Sequence, residues 1–107
     1  MENNNYALVS ADENGTTLAM RGNINSKNSQ SVEGGMLSLR AAHPRGKLSI
    51  DASLLESISS SGLKSLMRLR QNEGSLKIFN VSDDVYKSLS NKGLDGLIEV
   101  VKAVSNA

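Results

Sequence analysis

The chain has 107 residues, with 12 Lys plus Arg against 11 Asp plus Glu and a formal net charge of +1. This is the length of one domain (residues 1–107), and its nearly balanced charge gives no electrostatic basis for binding nucleic acid or an anionic membrane. The lack of Cys excludes disulfides and thiol catalysis, and no apolar run is long enough for membrane insertion, so we expect a cytoplasmic domain.

The start of the chain predicts an antiparallel hairpin. Apolar alternation predicts strands over residues 6–10 and 16–21. Between them, Asn14-Gly15 is typical of a tight hairpin turn because both residues tolerate positive φ. The polar segment 22–31 is predicted to be a loop.

Helices and strands alternate through the rest of the chain. The predicted elements are a helix over 31–42, a strand over 47–51, a helix over 61–71, a strand over 75–81, a helix over 85–91 and a strand over 97–101. The order ββαβαβαβ predicts an α/β fold: a mixed, mostly parallel sheet with an N-terminal antiparallel hairpin and flanking helices. Ligands and partners of such a sheet bind beyond the C-terminal strand ends.

The most informative segment is Ser59-Ser60-Ser61-Gly62, which connects the third predicted strand to a helix. Backbone N–H groups at a helix start lack intrahelical partners and favour negative charge, so this turn can hold a phosphate, either bound or attached to a hydroxyl. The alternative is an ordinary serine N-cap, for which a single serine is enough. The pattern alone leaves both interpretations open.

Enzyme motifs are missing. His43 is the only histidine and lies in a predicted loop beside Pro44, so a serine nucleophile has no evident base. The sequence contains neither G-x-S-x-G nor the glycine-rich phosphate-binding motifs. We therefore expect no catalytic residue, no metal site and no cofactor.

Four segments in order resemble the STAS domain family, whose best-known members are bacterial anti-sigma factor antagonists. They are LAMRGNIN over residues 18–25, LSID over 48–51, ISSSGL over 58–63 and LKIFNV over 76–81. The resemblance covers nearly the whole chain and implies a single STAS-like domain.

The resemblance also implies a site. In phosphorylatable members the first serine after an aspartate is the phosphoacceptor, which corresponds to Ser60. The family's aspartate before the serines is Ser59 here, and the one closing the second strand is Asn25. The implied partner-binding residues are Asn23, Ile24, Asn25, Ser26, Ser59, Ser60, Ser61, Gly62 and Leu63.

Two functions follow from the resemblance. The first is a regulatory module that binds an anti-sigma factor or related serine kinase and is switched by phosphate on Ser60. The second is a non-switching subunit of a larger assembly, such as a lipid-trafficking transporter complex or a stress-signalling scaffold. The two missing carboxylates favour the second, and a third possibility, a small-ligand domain, has no support from particular residues.

Overall fold

The computed structural model describes residues 5–104 of the chain. Its strands are β1 (Tyr6–Asp12), β2 (Gly15–Met20), β3 (Gly22–Ile24), β4 (Lys47–Asp51), β5 (Leu55–Ile58), β6 (Lys77–Val81) and β7 (Glu99–Lys102). Its helices are α1 (Ser29–Ala42), α2 (Ser60–Glu73) and α3 (Asp83–Asn91), and a short 3-10 helix spans Leu94–Gly96.

The main sheet has the order β1-β2-β4-β6-β7. β1 and β2 are antiparallel, and the other neighbours are parallel. The predicted mixed sheet with an N-terminal hairpin is therefore confirmed. At the hairpin turn the Asp12 carboxylate accepts the backbone N–H groups of Asn14 and Gly15, which holds the chain reversal.

Alternating side chains of the strands form one face of the core. Leu18 and Ile50 are fully buried, and so is Leu66 on the inner side of α2. Met67 of the same helix is only partly buried and packs against the core. The helix predicted over residues 61–71 is therefore present, and Leu63, Leu66 and Leu69 are its buried leucines.

A second, two-stranded sheet was not predicted. The segment 22–31, predicted to be a loop, contains β3 and the first turn of α1. β3 pairs in parallel with β5, which lies more than thirty residues later and was also missed. Strands of three and four residues are too short for a periodic signal, and only pairing across the fold stabilises them.

Other boundaries move by a few residues. α2 begins at Ser60 and ends at Glu73, two residues later than predicted, and Gly74 with φ 83° caps it. β6 begins at Lys77 instead of residue 75. β7 begins at Glu99 instead of residue 97, because the 3-10 helix and the turn that follows it occupy the residues before Glu99. β7 ends at Lys102, one residue later than predicted, and residues 105–107 lie outside the described part.

Close packing at Gly62 joins the small sheet to α2. A Cβ at Gly62 would lie 2.6 Å from Ile58 Cγ1 and 2.8 Å from Ile24 Cγ2. Both isoleucines are buried, and the Ser59 N–H donates to the Ile24 carbonyl at 2.8 Å. The lack of a side chain at Gly62 therefore lets the first turn of α2 rest directly on the ends of β3 and β5.

An ion pair connects α1 to α2. The Arg68 guanidinium donates to both carboxylate oxygens of Glu33, at 2.7–2.9 Å. These hydrogen bonds lower the pKa of Glu33 against the opposing effect of burial, and the Ser65 hydroxyl and the charge of Arg68 lower it further. Ser65 also donates to the Ser29 carbonyl on α1, so the two helices are held at this position by polar contacts.

A second polar cluster lies at the C-terminal end of the same helix pair. The mostly buried Arg40 of α1 pairs with Glu73 at the end of α2, at 2.9 Å. Its guanidinium also donates to Thr16 Oγ1 and to the carbonyls of His43, Arg45 and Gly46. The guanidinium thereby satisfies backbone groups at the end of α1 and in the turn before β4.

Replacing Gly62 with alanine tests the packing beneath α2. We expect Gly62→Ala to lower the free energy of unfolding by about 1–3 kcal/mol, because the added methyl overpacks against two buried isoleucines. The control is Gly34→Ala in α1, where a Cβ meets no atom within 4 Å. That variant should gain about 0.5–1 kcal/mol from helix propensity. Urea denaturation measures the free energy of unfolding of both variants. An equal change in the two variants would contradict the close contact at Gly62.

Replacing Glu33 with glutamine tests the ion pair between the helices. The pKa of Glu33 in the folded chain lies below its ordinary value of 4.5. The ionised carboxylate therefore stabilises the fold above pH 4.5, and this contribution is lost as the pH falls through the lowered pKa. Glu33→Gln should therefore destabilise the chain at neutral pH, and the difference from native should shrink in acid. Urea denaturation across this range measures it, with exposed Glu56→Gln as the control. A difference that does not change with pH would argue against the ion pair.

Candidate functional site

The serine turn, residues 59–62, begins α2. Ser59 is the N-cap, with extended backbone, and its hydroxyl accepts the Gly62 N–H at 3.4 Å. Ser60 is the first helical residue and is exposed, while Ser61 is half-buried. Since Ser59 alone performs the capping, the hydroxyl of Ser60 is not used to start the helix.

Residues 23–26, which we call the asparagine loop, comprise the end of β3 and the turn after it, and they lie beside the serine turn, where the Ser59 N–H donates to the Ile24 carbonyl. Asn23 is anchored to β5, because its side-chain oxygen accepts the Ser57 hydroxyl at 2.6 Å. The Asn25 side-chain oxygen accepts the backbone N–H groups of Lys27 and Asn28, and the backbone N–H of Asn25 donates to the Asn28 side-chain oxygen at 2.9 Å. These bonds fix the backbone of the loop at the entrance to α1 and leave its outer side open to partners.

The structure brings the two predicted segments together. Ser26 and Ser61 line the same groove between α1 and α2, with a volume of about 470 Å³, and Lys64 lines it as well. We call this space the polar groove. Its other lining residues are Ser29, Gln30, Glu33, Gly34, Leu37 and Arg68.

The nine predicted binding residues divide by exposure. Asn23, Asn25, Ser26 and Ser60 are exposed, and Ser59 and Ser61 are half-buried. Ile24, Gly62 and Leu63 are buried under the surface, so their contribution is to support the backbone of the exposed residues. A partner at this surface would meet mostly hydroxyl and amide groups, which are neutral.

A second depression lies on the other side of α2, between this helix and the 3-10 helix. We call it the leucine cleft; its volume is about 230 Å³. Its lining residues are Ser60, Leu63, Lys64, Met67, Lys92, Leu94 and Leu97. Of these residues only Ser60 and Leu63 were predicted to belong to a site, and no local pattern in the sequence places Lys92, Leu94 and Leu97 beside α2. Leu97 is 48% exposed in the structure.

The carboxylate that ends β4, Asp51, has a structural role. Its side chain accepts the Ser53 N–H at 2.9 Å and the Asn80 amide at 3.2 Å. Burial acts to raise the pKa of Asp51, but these hydrogen bonds and the charge of Arg21 outweigh burial and lower it. Asp51 thereby holds the turn that leads from β4 into β5.

Residues 5–104 contain no cluster of three or more acidic or His side chains arranged to hold a metal ion. No helix among these residues is long and apolar enough to cross a bilayer. His43 accepts hydrogen bonds through its backbone carbonyl at the end of α1, from Arg40 and from the Thr16 hydroxyl.

Comparisons with known proteins agree with this architecture. A protein of Thermotoga maritima, proposed to be an anti-sigma factor antagonist, has a similar structure, with a TM-score of 0.77 at 14% identity. The match covers 92% of this chain and 87% of that one. The anti-sigma factor antagonist SpoIIAA, in its unphosphorylated form, matches with a TM-score of 0.69 at 15% identity, over 94% and 89% of the two chains. At these identities the likeness shows the fold alone.

Sequence comparison supplies the family. No curated protein matches the chain closely enough to count as a relative. The family model described as "Mlab, STAS domain" matches residues 7–101, which is most of the chain. The serine turn and the asparagine loop lie within this match, and so does all of both sheets except Tyr6 and Lys102. The chain therefore belongs to the STAS domain family.

Proposed function

We propose that this chain is a regulatory protein-binding module and not an enzyme, and that it acts in the cytoplasm of a bacterium. Its partner would be an anti-sigma factor or a related serine kinase, docked on the asparagine loop and the serine turn. Ser60 would be the phosphoacceptor. The observation that carries the proposal is the exposed Ser60 hydroxyl, which is free of the capping role and lies beside the asparagine loop.

Phosphate on Ser60 would change the charge of this surface strongly. A phosphoserine carries about −1.5 to −2 charges at neutral pH and three strong acceptor oxygens. The other exposed residues predicted to bind the partner, Asn23, Asn25 and Ser26, are neutral, so the phosphate would be the only charge among them. A partner fitted to a neutral surface would be released by the cost of desolvating the phosphate and by repulsion from its own carboxylates.

A second candidate is a non-switching subunit of a larger assembly, such as a lipid-trafficking transporter complex. Two observations favour it. Ser59 and Asn25 replace the aspartates of the phosphorylatable pattern. The family model that matches is described as "Mlab, STAS domain", with no reference to anti-sigma factors. In this alternative the same surface would bind a permanent partner, and Ser60 would remain unmodified.

Affinity capture from the native cell, followed by mass spectrometry, separates the two candidates because it reports the partner and the phosphosite together. For the captured partner we expect Ser60→Ala to bind as the native chain does and Ser60→Asp to bind roughly tenfold more weakly. The control is Ser38→Asp, at an exposed position of α1. If Ser60→Asp and Ser60→Ala bind equally well, the serine turn is not the regulated surface.

Restoring the two carboxylates tests whether they determine kinase recognition. Both replacements fit the structure, because aspartate can accept the loop N–H groups as Asn25 does and can cap α2 as Ser59 does. With a STAS-specific serine kinase and ATP, Asn25→Asp with Ser59→Asp should incorporate phosphate faster than the native chain.

The same double variant carrying Ser60→Ala is the control and should incorporate none. Equal rates in the native chain and the double variant would mean that these positions do not govern recognition. No incorporation in either would favour the permanent subunit.

A further inference from the structure

The leucine cleft combines an apolar floor with a positive rim. Leu63 and Leu94 form a buried floor, and Leu97 stands half-exposed at the edge. The two charged residues that line it, Lys64 on α2 and Lys92 after α3, are both exposed and both cationic.

None of the described lining residues of the cleft is acidic. Asp95, in the 3-10 helix, is exposed and lies outside the lining. The charge that the cleft presents to an occupant is therefore positive.

We propose that the leucine cleft binds a protein segment that inserts an apolar side chain and places carboxylates against Lys64 and Lys92. A volume of about 230 Å³ suits one or two aliphatic side chains. The complementary charge selects an acidic segment over a basic one and mainly improves encounter and register. The partner's contact would thus extend from the serine turn along α2 into the cleft.

The cleft also offers a mechanism for the switch, and this part rests on the proposed function. Ser60 lines the cleft together with Lys64, which follows it by four residues on α2. Residues at this spacing are neighbours on a helix surface. A phosphate on Ser60 would pair with the Lys64 ammonium and compete with the partner's carboxylate for it.

Two synthetic peptides provide the test. Both carry the same amphipathic leucine pattern, with glutamate at the polar positions of one and lysine at those of the other. In an NMR titration of the isotope-labelled chain, the glutamate peptide should shift the amides of Leu63, Met67 and Leu97. The lysine peptide should bind at least roughly tenfold more weakly, since two attractive charge pairs become repulsive.

Charge reversal shows whether the two lysines cause the preference. Lys64→Glu with Lys92→Glu should invert the order of affinity, so that the lysine peptide binds more tightly than the glutamate peptide. The matched control, Lys47→Glu with Lys77→Glu, makes the same change in net charge at exposed strand starts outside the cleft and should leave the order unchanged. A preference that changes equally in both variants would reflect net charge and would overturn the proposal.

Ser60→Glu tests the competition for Lys64. It should weaken the binding of the glutamate peptide severalfold, whereas Ser38→Glu should not. Equal affinity of the two variants for this peptide would overturn the competition. The titration uses neither kinase nor natural partner, so it can fail while phosphorylation of Ser60 succeeds, and the reverse.

Three further outcomes would overturn the cleft as a site for an acidic segment. The first is the absence of shifts at the cleft with either peptide. The second is shifts that depend only on the concentration of the chain, which would indicate a second copy as the occupant. The third is that the amides of the cleft shift when an anionic single-chain lipid is added but shift with neither peptide.

Discussion

The contact of Gly62 with Ile24 and Ile58 is the constraint on which the candidate surface depends. It lets the first turn of α2 approach the two-stranded sheet at backbone distance. The Ser59 N–H reaches the Ile24 carbonyl at the same place, so the loop after β3 and the turn after β5 become one surface. Any side chain at position 62 would separate these segments or displace the isoleucines that support them.

Two ion pairs between α1 and α2 stabilise this arrangement. Arg68 and Glu33 connect the helices beyond the middle of α2, and Arg40 and Glu73 connect them at its C-terminal end. The second pair is the more buried, and its guanidinium has several additional acceptors, which is the condition under which a buried charge is tolerated. Two contacts at different positions along the helices restrict rotation of α2 about its axis.

The charge of the surface around Ser60 differs between the two sides of α2. The polar groove beside the asparagine loop contains both signs of charge, Lys64 and the Arg68–Glu33 ion pair. The charged residues that line the leucine cleft, Lys64 and Lys92, are both cationic. A phosphate on Ser60 would stand at the boundary between these sides. If the proposed function holds, Asn25 and Ser59 leave recognition to neutral contacts and to the cleft, in place of the carboxylates of the phosphorylatable pattern.

The amino-acid sequence by itself determined the main sheet and the three helices. Their signals are local: alternation along strands, apolar spacing in helices, and capping residues such as Gly74 and Ser82, whose hydroxyl accepts the Val85 N–H as the helix start requires. The same local signals placed Ser60 at a helix start.

Only the tertiary structure decided the two-stranded sheet, the leucine cleft and the role of Arg40. β3 and β5 are too short to show a period, and each is a strand only because the other is beside it. Lys92 and Leu97 flank the 3-10 helix and line the leucine cleft together with α2. Arg40 pairs with Glu73, thirty-three residues later in the chain. Such contacts depend on the path of the chain in space, which the pattern of neighbouring residues does not contain.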